Sequence, residues 1–261
     1  MDYGVTVGLK GSTALIKKAK AWAEELQLPF FMRSRHGTLQ DFCAERGLKA
    51  LLIASHLGAQ VFTQEGILRY HPSMGVPRIR ILERGGTDHL VEACELKPGK
   101  RYLDCTLGLA ADAAVASFVV GPAGKVTGLE ASPVLYMLAK EGLTTYLMPD
   151  DKKIEAALQR ITVLWKKAED FLPTLPSDSY DVVYFDPMFR RPVGSSASMQ
   201  PLRPASYHKP LDLGMIREAL RVAPLVVVKE RDEALLQQLG AQEIQGGKYS
   251  RVKYGIIRRP L

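Results

Sequence analysis

Residues 101–120, RYLDCTLGLAADAAVASFVV, place an apolar strand, a turn of small residues and an alanine-rich helix in direct succession. We predict the strand at 101–105 and the helix at 110–120. Gly108 favours a compact turn between them, because glycine tolerates backbone angles that other residues avoid. A strand that runs through a tight turn into a helix is the repeating unit of parallel α/β sheets.

The same alternation of strand and helix continues toward the C-terminus. Further strands are predicted at 126–130, 161–165, 180–185, 225–229, 243–244 and 252–257. Helices are predicted between them at 133–145, 152–160, 211–221 and 232–239. This order predicts a doubly wound α/β fold with a parallel sheet. In such a sheet, ligands bind at the carboxyl ends of the strands.

The first part of the chain has shorter elements. Strands are predicted at 5–7, 29–32, 50–55, 60–63 and 67–70, and helices at 13–25 and 39–45. We therefore predict a small N-terminal α/β domain at 1–70, a connector at 71–97 and the main domain at 98–261. In the connector, Pro72 and Pro77 are expected to oppose regular structure, and a helix is predicted at 87–96.

Composition limits the possible partners of this 261-residue chain. Lys and Arg outnumber Asp and Glu by 35 to 28, a net charge of +7, which suits a polyanion but is shared by many proteins without one. Cys43, Cys94 and Cys105 fit neither a disulfide framework nor a zinc site. No signal peptide or membrane-spanning stretch is apparent. We expect a cytoplasmic protein that uses no metal and contacts no membrane.

Acidic residues end the first two strands of the main domain. Asp104 ends the first, and Glu130 ends the second, where a carboxylate can accept hydrogen bonds from both ribose hydroxyls of a nucleoside. The loop after Asp104 has one of the three glycines of a dinucleotide fingerprint, so a cofactor without phosphates fits better. S-adenosylmethionine (SAM) is such a cofactor. A tight turn that binds no ligand is the alternative.

A second motif, YDVVYFDPMF at 180–189, runs from an apolar strand directly into Asp-Pro-x-aromatic. Pro187 stiffens the turn, so the Asp186 carboxylate and the Pro187 carbonyl can accept hydrogen bonds from one amino group. Phe189 can stack on a planar base. We predict that these three residues are catalytic and orient an exocyclic amine toward an electrophilic methyl group. The alternative is a structural β-turn with a buried Phe.

The two motifs, with ERGG at 83–86 and VVVK at 226–229, resemble the ribosomal small-subunit methyltransferase J family over roughly residues 80–261. The first motif matches as D-x-T-x-G-L-x-x-D from Asp104 to Asp112. The resemblance implies a Rossmann-like SAM methyltransferase fold, SAM as the cofactor and RNA as the partner. It also implies that the substrate is an exocyclic nitrogen of guanine, N2, in small-subunit ribosomal RNA.

The resemblance also implies a set of site residues. The predicted cofactor-binding residues are Asp104, Thr106, Gly108, Ala111, Asp112, Glu130, Ala131, Lys167, Ala168 and Asp186. Among them, Ala111 and Asp112 are expected near the methionine moiety and Lys167 near the adenine. Apart from the resemblance, Arg78, Arg80 and Arg84 in the connector could flank a phosphate backbone together with Arg190 and Arg191 after the second motif. Of these, Arg84, Arg190 and Arg191 are the predicted RNA-binding residues, and solvated surface charge is the alternative. For Lys229 the sequence leaves open a contact with substrate or a pair with Asp186 or Glu230.

The chain also departs from that family. Ala110 stands where the family has a second glycine, and Ala111 where it has a basic residue. Residues 1–70 show no obvious match. Two alternatives therefore remain: an N-methyltransferase for DNA, protein or a small molecule, and a non-catalytic RNA-binding protein on the same scaffold. Binding of SAM separates the second alternative from an enzyme, and the sequence leaves the oligomeric state open.

Overall fold

The computed structural model describes residues 2–9, 11–33, 37–72, 74–187, 202–207, 209–247 and 250–260. The strands are β1 (Tyr3–Val7), β2 (Phe30–Phe31), β3 (Ala50–Ser55), β4 (Gly58–Thr63), β5 (Gly66–Arg69), β6 (Arg101–Asp104), β7 (Lys125–Glu130), β8 (Thr162–Trp165), β9 (Val182–Phe185), β10 (Leu225–Glu230), β11 (Glu243–Gln245) and β12 (Lys253–Arg258).

The helices alternate with these strands. They are α1 (Thr13–Glu25), α2 (Leu39–Arg46), α3 (Val76–Glu83), α4 (His89–Ala93), α5 (Ala111–Val120), α6 (Pro133–Thr145), α7 (Lys152–Gln159), α8 (Ala168–Phe171), a 3-10 turn (Leu172–Thr174), α9 (Leu202–Ala205), α10 (Leu213–Val222) and α11 (Glu233–Gln238). Helix α1 begins at Thr13, as the sequence predicts, because the Ser12 hydroxyl accepts the N–H of Leu15 at 3.4 Å.

The chain forms two compact units, and neither is contiguous in sequence. The first unit comprises Met1–His71, Ser132–Tyr146 and Pro192–Tyr207, and the second comprises the remainder. The predicted domain boundaries after residues 70 and 97 stay a proposal.

The first unit is built on a sheet of order β2-β1-β3-β4-β5. Strand β1 is parallel to β2 and β3, whereas β4 is antiparallel to both of its neighbours. Helix α1 packs on β1, and α6 packs on β4. Leu51, Ile53 and Phe62 contribute buried apolar side chains to its core.

The second unit is built on a sheet of order β11-β12-β10-β9-β6-β7-β8. Strands β6 to β10 are parallel, which confirms the predicted doubly wound fold, while β12 runs antiparallel to β10 and β11. Along the chain the strands run outward from β6 to β8 and then return to β9 on the other side of β6. The carboxyl ends of β6 and β9 therefore flank the topological switch point, where ligands bind in this class of sheet.

The expectation that prolines keep the first half of the connector irregular is wrong. Helix α3 occupies Val76–Glu83, with Pro77 in its first turn. Proline is tolerated there because a first-turn N–H has no partner within the helix. The predicted helix at 87–96 is the shorter α4, which begins after Asp88, whose carboxylate accepts the N–H groups of Leu90 and Val91 at 3.0 and 3.3 Å.

Two further features bear on the sequence analysis. The three cysteines are buried and unbonded. Within the described ranges, no helix has both the length and the apolar character that a bilayer crossing requires.

Candidate active site

The loop after β6 is held in a compact shape by its own backbone. The buried Asp104 carboxylate accepts the N–H of Thr106 at 2.9 Å. Gly108 and Ala110 adopt left-handed conformations, with φ of +53° and +61°. Ala110, which departs from the family motif, thus takes a backbone conformation that favours glycine, and the helix α5 starts directly after it.

The Glu130 carboxylate lies against this loop. Glu130 is the last residue of β7, is 7% exposed, and its Oε2 accepts the N–H of Gly108 at 3.0 Å. The end of β7 is therefore joined to the loop after β6 by a charge-assisted hydrogen bond.

The ends of β7 and β8 meet at the predicted adenine side. The Ala131 carbonyl accepts a hydrogen bond from the Trp165 indole N–H at 3.2 Å. Lys167 is exposed and caps α8, and Ala168 is the buried first residue of that helix. These residues occupy the same sheet edge as Glu130, because parallel strands end on one side.

The turn after β9 is attached to the same loop. The backbone N–H of Asp186 donates to the Thr106 hydroxyl at 2.6 Å, and Thr106 is in turn bound to Asp104. Pro187 follows Asp186 and is partly exposed. The structure therefore brings Asp104, Thr106 and Asp186 together, as expected for strands on either side of the switch point.

Three predicted residues lie outside the described ranges. They are Phe189, Arg190 and Arg191. The third predicted RNA-binding residue, Arg84, is exposed and caps the C-terminal end of α3.

Asp112, in the first turn of α5, is the centre of a buried ionic network. Its Oδ2 accepts hydrogen bonds from Lys229 Nζ and the Tyr184 hydroxyl, both at 2.9 Å. Its Oδ1 accepts one from the Arg78 guanidinium. Lys229 Nζ also lies 2.7 Å from Asp186 Oδ2. Of the partners that the sequence left open, Lys229 thus pairs with Asp186.

Sequence analysis missed several members of this network. The Arg78 guanidinium also donates to both carboxylate oxygens of Asp88, at 2.7 and 2.8 Å. Arg78 lies on α3, in the segment that we predicted to be irregular. Tyr184 carried a usable signal, because it lies two residues before Asp186 and alternate strand residues share a face.

The three neighbouring carboxylates differ in their proton affinity. Burial raises the pKa of Asp104 to about 8, and the nearby carboxylates reinforce this shift against the Thr106 N–H. Burial raises the pKa of Asp186 to about 6, although Lys229 opposes the change. Burial would also raise the pKa of Asp112, but Lys229 and Arg78 together hold it far below its usual range.

Chemically, this edge of the sheet offers hydrogen-bond acceptors. Among the side chains that the structure describes, no group of three or more His, Cys, Asp or Glu is placed to hold a metal ion. The buried Glu130 beside the left-handed loop suits a nucleoside, and Asp186 directly follows β9, which lies on the other side of β6 from β7.

A family model described as "Putative SAM-dependent methyltransferase" matches residues 63–245. The chain belongs to this SAM-dependent methyltransferase family. Its cofactor is therefore SAM, and the residues present fit that group. The Glu130 carboxylate is an acceptor suited to ribose hydroxyls, and the loop from Asp104 to Asp112 has no basic side chain for a pyrophosphate.

Two curated relatives match this methyltransferase in sequence. It is 31% identical over 256 residues to the uncharacterized protein YpiP of Bacillus subtilis, covering 97% of this chain and 98% of that one. It is 34% identical over 167 residues to a ribosomal RNA small subunit methyltransferase J of Laribacter hongkongensis, covering 58% of this chain and 57% of the relative.

A solved structure has the same fold. The crystal structure of a SAM-dependent methyltransferase from Neisseria gonorrhoeae aligns with a TM-score of 0.64 at 16% identity, covering 98% of this chain and 95% of that one.

Proposed function

We propose that this methyltransferase modifies an exocyclic amino group of RNA, with guanine N2 in small-subunit ribosomal RNA as the target. The observation that carries the proposal is the Asp186–Pro187 turn: the backbone N–H of Asp186 donates to the Thr106 hydroxyl of the cofactor loop, and its carboxylate accepts a hydrogen bond from Lys229. Such a turn presents two acceptors to the two N–H groups of one planar amine.

In this proposal Asp186 and Pro187 position the amine. Their oxygens accept its two N–H bonds, so the nitrogen lone pair points away from the turn and toward the cofactor side of the crevice. SAM supplies a methyl group on a positively charged sulfur. Asp186 then takes the proton that the methylated amine loses, a role suited to a carboxyl with a pKa of about 6. Phe189 would stack on the base.

The cofactor residues follow from their places at the strand ends. Glu130 would accept the ribose hydroxyls, and Ala131, Lys167 and Ala168 would line the adenine side. Asp104, Thr106 and Gly108 would shape the loop beneath the cofactor. We propose that Ala111 and Asp112 approach the methionine moiety through the backbone. The Asp112 carboxylate already accepts hydrogen bonds from Arg78, Lys229 and Tyr184.

RNA is favoured as the substrate by two observations. The chain carries a net charge of +7, and two relatives named ribosomal RNA small subunit methyltransferase J are 34% and 30% identical to it over 167 and 175 residues. Arg84, Arg190 and Arg191 would contact phosphates, and a ribosomal substrate would place the enzyme in the cytoplasm. Ala110 adopts the left-handed conformation that favours glycine, so its presence in place of glycine has not changed the shape of the loop. This argues against loss of cofactor binding.

The test is nucleoside mass spectrometry of small-subunit ribosomal RNA from cells with and without this protein. We expect loss of one N2-methylguanosine and its return on complementation. An unchanged set of modified nucleosides would contradict the proposal. Incubation of tritiated SAM and purified enzyme with total RNA, DNA or protein would then show which alternative substrate class takes the label.

A further inference from the structure

Lys229 is a buried cation placed between two carboxylates. Its side chain is 19% exposed, and Nζ lies 2.9 Å from Asp112 Oδ2 and 2.7 Å from Asp186 Oδ2. Burial alone would favour the neutral amine, but the two acids outweigh it and raise the pKa of Lys229 above its ordinary value. The ammonium therefore stays charged throughout the neutral pH range.

The two carboxylates depend on Lys229 to different degrees. Asp112 has two further donors, the Arg78 guanidinium and the Tyr184 hydroxyl. Within residues 74–187 and 209–247, the Asp186 carboxylate accepts its hydrogen bond from Lys229. Loss of Lys229 would thus leave Asp112 paired with Arg78, but it would remove from Asp186 the cation that it pairs with among the described residues.

We propose that Lys229 is a positioning residue that fixes the Asp186 carboxylate in its ionised, amine-accepting orientation and ties it to the cofactor helix α5. The inference rests on the proposed function, since it assigns Asp186 to the target amine. It concerns the state of Asp186 and not the identity of the RNA.

The charges around Asp186 set the direction of the effect. Among the described residues, the ionisable groups that act on Asp186 or lie beside it on neighbouring elements are Lys229 and Glu230 of β10, Asp112 of α5, Asp104 of β6 and Tyr184 of β9. Lys229 is the cation of this set. Because the other groups are acids, removal of Lys229 raises the pKa of Asp186. A larger fraction of Asp186 is then protonated at a given pH.

The first measurement is the single-turnover rate of methyl transfer as a function of pH. For Lys229→Met, we expect the midpoint of the acidic limb to rise by about one unit or more, because an opposite charge at this distance has been lost. At pH values below the midpoints of both proteins, a rise of one pH unit in the midpoint makes the rate of the variant about tenfold lower than that of wild type. Lys229→Arg keeps the charge and should return the midpoint toward wild type.

The chain offers a matched control in Lys253. This lysine lies on the adjacent strand β12, is 20% exposed and pairs with Glu233 at 3.7 Å. Lys253→Met removes a comparable cation away from Asp186, so the midpoint should not move. An equal shift in both variants would overturn the proposal, because it would show a general charge effect.

The second measurement needs no RNA. Carboxyl carbon resonances of aspartate-labelled protein report the titration of Asp186, whose signal is assigned by its absence in Asp186→Asn. The midpoint should rise in Lys229→Met, or in Lys229→Gln if the methionine variant does not fold. An unchanged midpoint in a folded variant overturns the proposal. A raised midpoint in an enzyme that labels no RNA supports it while refuting the proposed function.

Discussion

At the residue scale, the site separates the protonation states of three neighbouring acids. Asp112 has two cationic partners and stays ionised, Asp186 has a pKa of about 6, and the buried Asp104 has a pKa of about 8. When their environments separate the pKa values of neighbouring acids in this way, one acid can stay charged while another exchanges a proton. Asp186 is the member suited to proton exchange near neutral pH.

Glu130 provides a test of the cofactor assignment. Glu130→Ala removes charge-assisted hydrogen bonds worth about 1.5–3 kcal/mol each, so SAM affinity measured by calorimetry should fall about tenfold or more. Glu130→Gln retains an acceptor oxygen that can bind the Gly108 N–H, and it should lose less affinity. Equal dissociation constants for wild type and a folded Glu130→Ala protein would refute the assignment to the ribose.

Asp104 should make stability depend on pH. Its pKa is about 8 in the folded protein against 3.8 as the ordinary value. The folded state therefore holds a proton that the unfolded chain loses, and stability falls as pH rises from about 4 to about 8. Asp104→Asn lacks this titration, so its free energy of unfolding relative to wild type should increase over that range and level off above it. Urea unfolding at pH 5, 7 and 9 measures the difference, and a constant difference would contradict the assigned pKa.

The sequence could predict the acids of this site but not their partners. Asp104, Glu130 and Asp186 follow apolar strands, and strand ends in a parallel sheet share one edge. The pairing of Lys229 with Asp186 requires β10 to lie beside β9, and strand order is not contained in periodicity. Arg78 was interpreted as a possible phosphate contact, and its pairing with Asp112 was not predicted because the prolines of its segment suggested irregular structure.

At the scale of elements, a close approach of α3 to α5 positions Arg78 beside Asp112. Gly75 caps α3, and a Cβ at that position would lie 2.8 Å from the Ala111 carbonyl oxygen and 3.2 Å from Ala114 Cβ. Backbone atoms cannot move aside as a flexible side chain can. A glycine is therefore required at position 75, because α3 and α5 approach too closely there for a side chain.

Gly75→Ala should separate these helices. We expect a loss of about 1–3 kcal/mol in the free energy of unfolding, the usual cost of an added buried methyl group. Gly8→Ala is the control, because its nearest neighbour would be the Ala54 carbonyl oxygen at 3.7 Å, an ordinary contact. Urea denaturation measures both, and equal stabilities of the two variants would show that α3 has room to shift.

Periodicity predicted most elements but not their full arrangement. The apolar runs of β9 and β10 are buried, as expected for central parallel strands. The last strand, β12, instead enters antiparallel between β10 and β11. Local sequence did not indicate this, because a short apolar strand has the same pattern in either direction.

At the scale of the whole molecule, the net charge of +7 predicts salt-dependent RNA binding. Contacts between arginines and phosphates release counterions, so affinity should fall linearly on a logarithmic salt scale. Replacing Arg84, Arg190 and Arg191 together by Ala should flatten that slope, while SAM binding is retained. Arg217→Ala, an exposed arginine on α10, is the control. RNA affinity that is indifferent to salt would favour a small-molecule substrate.

The central claim is that Asp186 positions the target amine of an RNA methyltransferase. Single-turnover transfer from tritiated SAM to small ribosomal subunits tests it most directly, with Asp186→Asn compared with Asp181→Asn. Asp181 precedes the same strand β9 at its other end, pairs with Arg101 at 3.0 Å and has a similarly exposed side chain, 25% against 28%.

For Asp186→Asn we predict an about hundredfold or greater fall in rate with unchanged SAM affinity, because an NH₂ donor replaces an acceptor and the negative charge is lost. Asp181→Asn should transfer at nearly the wild-type rate. Near-wild-type transfer by a folded Asp186→Asn protein would contradict the account and show that the turn after β9 is structural.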